Sequence, residues 1–113
     1  MIYVASPYSH PSATVREGRF RAACEATATL LREDRLAYSP IVHCHPLAGC
    51  GLPGDWAFWA SHNEAMLERC TALHVLQLPG WQASRGIAEE VQIAGAHGIP
   101  VCYMPQQGEE RLS

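Results

Sequence analysis

Four short apolar runs alternate with segments of helical periodicity along this chain, and that alternation leaves few folds open. The runs are Ile2–Ala5, Leu36–Ser39, Ala72–Leu78 and Pro100–Met104. Between them apolar residues recur at three- and four-residue spacing, the pattern of a helix with one buried face. Strand–helix alternation builds a parallel sheet with helices on both faces, because each parallel connection must cross over the sheet. The expected fold is α/β: a three-layer sandwich around a parallel sheet of four to five strands, flavodoxin-like or Rossmann-like. One domain is expected over residues 1–105, followed by a polar tail at 106–113 that frays.

The first helix is predicted from Ser12 or Thr14, either of which can cap it, to about Asp34. Val15, Phe20, Ala23, Cys24, Leu30 and Leu31 are its core positions. Thr27 is the polar member of that stripe, and its hydroxyl can bond a carbonyl in the preceding turn. Residues 40–54 carry Pro40, Pro46, Pro53, Gly49, Gly51 and Gly54, and read as a long irregular loop of the functional or mobile kind. Asp55 can cap a helix from Trp56 to about Cys70. The last helix spans Ser84–His97 and stops before Gly98 and Pro100.

In parallel sheets ligands bind beyond the carboxyl ends of the strands, at the point where the strand order reverses. Three segments are expected to meet there: Ser6–His10, residues 40–54 and Pro79–Ser84. Just behind the third lies Ser84-Arg85-Gly86-Ile87-Ala88-Glu89-Glu90. Ile87, Val91 and Ala94 form one stripe of its helix. Glu90 falls about 60° from Ile87 on the shoulder of that stripe, and Glu89 about 160° away on the far side. Glu89 is the ordinary exposed carboxylate. Glu90 either snorkels at the edge of the buried face or faces a pocket.

Composition narrows the partners. Apolar residues make up 48% of the chain and charged residues 17%, a globular balance. A net charge of −3 without a basic block disfavours nucleic-acid polymers and membrane surfaces, while a single nucleotide stays open. No run has the length of a membrane span, and the first residues lack a basic n-region and a long apolar core, so the cytoplasm is the expected location. The five cysteines include no CxxC, and Cys24, Cys70 and Cys102 read as small core residues in a reducing compartment. His43-Cys44-His45 with Cys50 is the one metal-like cluster, but it lacks paired zinc spacing, so no metal is expected. Cys44 as a nucleophile has no third partner or oxyanion motif. Neither GxGxxG nor a P-loop occurs, and no cofactor is expected.

The N-terminal Ile2-Tyr3-Val4-Ala5-Ser6-Pro7-Tyr8 resembles the first strand and loop of the nucleoside 2-deoxyribosyltransferase superfamily. Ser84-x-Gly86-x-x-x-Glu90-x-x-x-Ala94, followed by Gly98-Ile99-Pro100-Val101, resembles its second signature. The Leu78-to-Gly86 stretch, Leu-Pro-Gly-Trp-x-x-Ser-x-Gly, resembles a branch of small phage and bacterial proteins. The resemblance spans Tyr3 to Val101. It implies cleavage or transfer at the N-glycosidic bond of a nucleoside or deoxynucleoside 5′-monophosphate. Glu90 would be the nucleophile that forms a glycosyl-enzyme intermediate, and Tyr3 would orient it.

The resemblance also puts Ser84 against a 5′-phosphate. Ser84 opens a helix, whose free N–H groups favour an anion, and it is equally a plain N-cap. Gly86 allows close backbone approach. The family's acid/base aspartate corresponds here to Asn63, which can hydrogen-bond but cannot deliver a proton at neutral pH. His62, Glu64 and Asp55 lie nearby without matching the family pattern. This departure keeps a second reading open, a non-catalytic nucleotide or nucleotide-sugar binding protein, and a third, a small assembly protein. Ser6, Tyr8 and Trp81 are the further substrate-binding candidates from the rim. Trp56 and Trp59 could also stack a base, with Trp59 better explained as helix core. Arg16 could reach a phosphate, although an exposed arginine is the commoner case, and His43 and His45 read equally as surface or site. Family members complete their sites across subunits, so a homodimer or larger homo-oligomer is expected.

Overall fold

The computed structural model describes residues 1–105. The expected tail at 106–113 lies outside the described residues. The elements are β1 (Ile2–Ala5), α1 (Ala13–Arg32), β2 (Ala37–Tyr38), α2 (Pro40–Ala48), α3 (Trp56–Glu68), β3 (Ala72–Leu76), α4 (Arg85–Ala96) and β4 (Val101–Met104). A single 3₁₀ turn, Trp81–Ala83, precedes α4. The four strands are parallel, in the order β2-β1-β3-β4. The architecture is the α/β sandwich expected, with four strands.

Alternation along β1 sorts the layers. Tyr3 and Ala5 join Leu73 and Val75 of β3, Leu67 of α3, and Ile87 and Ala94 of α4 in the larger core. Ile2 and Val4 point the other way and pack with Leu30 of α1. A third cluster, Ala23, Ile41, Cys44 and Trp59, ties α1, α2 and α3 together. Every residue of β1 is buried, so it reads as a continuous apolar run, as a central parallel strand should.

Several local expectations need correction. Residues 40–48 are helix, not loop. Ser39 Oγ accepts from Val42 N at 3.2 Å and Pro40 takes the first helical position, where its missing N–H costs nothing. The proline that signalled a strand stop is the start of α2. Leu31 is exposed, and Ala26 and Thr27 take the buried stripe of α1 with Ala23 and Leu30. Thr27 Oγ1 donates to Ala23 O at 2.7 Å, the expected back-bond. Cys70 is buried, but Cys24 is only partly covered and Cys102 is exposed. Cys102 lies on the edge strand β4, next in sequence to Val101, which packs on the α4 side. Alternation therefore turns it to the opposite face. Among the described residues no helix is long and apolar enough to cross a membrane.

Candidate active site

The strand order reverses between β1 and β3, whose following loops leave in opposite directions. A cleft of ≈ 520 Å³ opens there. The β1 loop gives it Ser6 and Tyr8, α2 gives Ile41, α3 gives Trp56 and Asn63, and the start of α4 gives Ser84, Gly86 and Glu90. The three strand-end segments meet as expected, with the N-terminus of α3 closing the fourth side.

Glu90 is 4% exposed, so the wheel's second alternative holds and the carboxyl faces the cleft from the buried side of α4. Tyr3 lies beneath it, fully buried, and its hydroxyl donates to Glu90 Oε2 at 2.5 Å. Burial pushes the Glu90 carboxyl up to about 8, and the Tyr3 hydrogen bond pulls the other way. Burial, then the Glu90 charge, drives the Tyr3 phenol far above its ordinary range, so Tyr3 is a permanent donor. Glu89 is partly covered.

Ser6 is 7% exposed, lines the cleft, and its Oγ has no hydrogen-bond partner. Asn63 is also buried at the wall. Ser84 Oγ accepts from Ile87 N at 3.2 Å, which makes it a true N-cap, and its O–H is left to donate into the cleft.

Trp81 is not at the cleft wall. It packs on the main core and tilts against Tyr103, with ring centroids 5.6 Å apart. Trp56 occupies the wall instead. A Cβ at Gly86 would meet the Trp56 ring at 3.4 Å, so the glycine leaves room for that ring over the start of α4. Gly80 has φ +88°, and a side chain there would also strike the Arg19 guanidinium at 2.8 Å. Trp59 packs in the core and also borders the cleft, and its indole N–H donates to Pro53 O at 2.7 Å. Arg16 is spent on the carbonyl of His10 and is not a cleft residue.

The metal-like cluster does not gather. In helical α2 its side chains diverge: His43 stacks on His62, Cys44 is buried, and His45 turns to Glu17 and Phe20. Cys44 lines the cleft, and burial pushes its thiol up to about 11, which disfavours the thiolate a nucleophile needs. Among the described residues the group with metal-ligand spacing is Glu64, Glu68 and His97, exposed at the C-terminal ends of α3 and α4, away from the cleft.

Sequence reasoning missed the partners of Tyr8. Its hydroxyl meets His45 Nδ1 at 2.6 Å, and His45 Nε2 meets Glu17 Oε1 at 2.9 Å. No spacing rule links positions 8, 17 and 45, which lie on three separate elements.

No curated protein matches the chain. Residues 1–106 match the model of one family, described as a domain of unknown function (DUF1937). That match spans nearly the whole chain, and the chain belongs to the DUF1937 family.

Proposed function

We propose that this protein breaks the N-glycosidic bond of a nucleoside or deoxynucleoside 5′-monophosphate, by hydrolysis or base exchange, with Glu90 as nucleophile. The observation that carries this reading is a buried glutamate at a cleft wall, held by a fully buried tyrosine, at the switch point of a parallel sheet. The likeness of both signatures to nucleoside 2-deoxyribosyltransferases supplies the reaction class. In the ionised state, Glu90 attacks the anomeric carbon and the departing base takes the bond's electron pair. Water or a second base then displaces the sugar. Tyr3 fixes the attacking oxygen, Trp56 offers a stacking face, and the start of α4 with Ser84 offers donors to the phosphate.

Incubation with the common nucleoside and deoxynucleoside monophosphates, followed by chromatography of free base, tests the reading. Base release by the wild type that Glu90→Ala abolishes is expected. No release from any of them, or equal release by the variant, would refute it. Ser84→Ala separates its two roles: loss of the cap costs about 1 kcal/mol of stability. A phosphate contact additionally raises KM for the monophosphate while leaving KM for the free nucleoside unchanged.

A second reading is binding without turnover. Asn63 in place of an acid favours it, as does a carboxyl that is mostly protonated at neutral pH. Nucleotide-dependent rises in melting temperature without base release would select it.

A further inference from the structure

Cleavage of a glycosidic bond to a base needs a proton for the leaving nitrogen, and Asn63 cannot give one. Glu90 cannot be both nucleophile and proton donor in one step. The cleft's other polar side chains include one that is wired to a titratable chain outside the cleft.

Tyr8 lines the cleft, while His45 and Glu17 are not among the residues that line it. The Tyr8 hydroxyl and His45 Nδ1 lie 2.6 Å apart, and His45 Nε2 and Glu17 Oε1 lie 2.9 Å apart. Phe20 stacks on the imidazole, with ring centroids 4.3 Å apart, and the Tyr8 ring meets its edge at 5.5 Å. These contacts hold the ring between its two partners. Three elements contribute: the β1 loop, α1 and α2. Other charged and titratable groups at this chain are Arg21 on Glu17 at 3.4 Å, Cys24 near Glu17, and Arg16 and Cys44 near Tyr8.

We propose that Tyr8 is the acid/base of the reaction, and that His45 and Glu17 form a relay that supplies and stores its proton. This rests on Glu90 being the nucleophile. A carboxylate only accepts, so Nε2 carries hydrogen toward Glu17 in either charge state of the ring. The state of Nδ1 then sets what Tyr8 presents to the cleft. When Nδ1 carries a proton it donates to the Tyr8 oxygen, and the Tyr8 O–H is free to donate to the base. When Nδ1 is bare it accepts the Tyr8 proton, and the Tyr8 oxygen is free to accept from water.

Both states are used in one turnover. First, Glu90 forms its bond to the anomeric carbon and the carbon–nitrogen bond breaks. Its electron pair goes to the base nitrogen, which takes the Tyr8 proton, and Tyr8 takes the Nδ1 proton. Second, water attacks the anomeric carbon and the bond to Glu90 breaks, returning its electron pair to the carboxylate. A water proton passes to Tyr8, and the Tyr8 proton passes to Nδ1. The sum is nucleotide plus water giving base plus sugar phosphate, with every group restored.

Leaving-group dependence tests the relay. 7-Methyl-2′-deoxyguanosine 5′-monophosphate carries a cationic base that departs without a proton. Tyr8→Phe keeps the ring and removes the hydroxyl. On ordinary nucleotides kcat is expected to fall about 10²–10⁴-fold, the usual worth of a general acid, with KM little changed. On the methylated nucleotide the variant should release one equivalent of base in a burst at nearly the wild-type rate. Turnover then slows, because water lacks its base, and the sugar phosphate accumulates on the protein. His45→Gln and Glu17→Gln should show the same pattern with smaller losses, and Glu17→Asp should regain part of the rate.

A burst slowed as much as the ordinary reaction would make Tyr8 a shaping residue and overturn the relay, with Glu90-dependent release by the wild type leaving the nucleophile in place. Wild-type rates for Glu17→Gln on ordinary nucleotides would also overturn it. No base release by the wild type from either nucleotide removes the Glu90 reading itself, and the relay with it.

Discussion

Glu90→Gln is expected to abolish base release while leaving the cleft intact. The amide is isosteric and its oxygen can still accept from Tyr3, so the hydrogen bond at the core survives. What is lost is the proposed nucleophile, and removing one member of a covalent mechanism costs at least about 10⁴-fold. The wild-type pH profile should carry the same signature. Burial holds the Glu90 carboxyl at about 8, so the attacking carboxylate is the minor form at neutral pH. The rate therefore rises with pH toward about 8, as the carboxylate form of Glu90 fills. Tyr3→Phe removes the one contact that pulls Glu90 down, so its rising limb moves to higher pH. Steady-state rates across pH for the wild type and both variants check this.

The same substitution should stabilise the fold, and strongly at mildly alkaline pH. The unfolded carboxyl titrates near its ordinary 4.5 and the folded one at about 8. Between those values the folded state binds a proton that the unfolded state has released. Stability therefore falls as pH rises through this window and levels off above it. A shift of this size is worth on the order of 5 kcal/mol. Glu90→Gln has no proton to lose, so its stability should stay flat across the window. At pH 8 it should melt about 10 °C or more above the wild type. Thermal melts from pH 5 to 9 measure this. A variant that melts lower than the wild type at pH 8 would mean that Glu90 is a paired structural charge, not a strained functional one.

The parts of this molecule that could be read from its sequence are those set by local pattern. Ile2–Ala5 and Ala72–Leu76 are buried strands because they are unbroken apolar runs, and the alternation with helices dictated a parallel sheet. The place of Glu90 on the shoulder of the apolar stripe was legible because its angle from Ile87 is a property of that helix alone, but the angle left open whether it snorkels or faces a pocket, which the packing of α4 decides. Residues 40–48 were misread because proline breaks a helix inside and favours one at its first position. Only the Ser39 cap separates the two cases. Trp81 and Trp56 exchanged places for a related reason. The left-handed Gly80 turns the chain into a 3₁₀ turn, and the resulting direction of Trp81 is a loop property with no periodicity to reveal it. The Tyr8–His45–Glu17 chain was invisible because it depends on how α1 crosses α2, and α2 had not been recognised as a helix.

A covalent sugar on Glu90 is the central claim. A nucleotide bearing fluorine at the 2′ position slows loss of the sugar from the enzyme, because it destabilises the cationic transition state. Mixing it with the protein, quenching in acid and mapping peptides by mass spectrometry should find one sugar phosphate per chain, on the peptide that carries Glu90 and on that side chain. Base release without any adduct on Glu90, or an unchanged adduct in Glu90→Ala, would contradict the account.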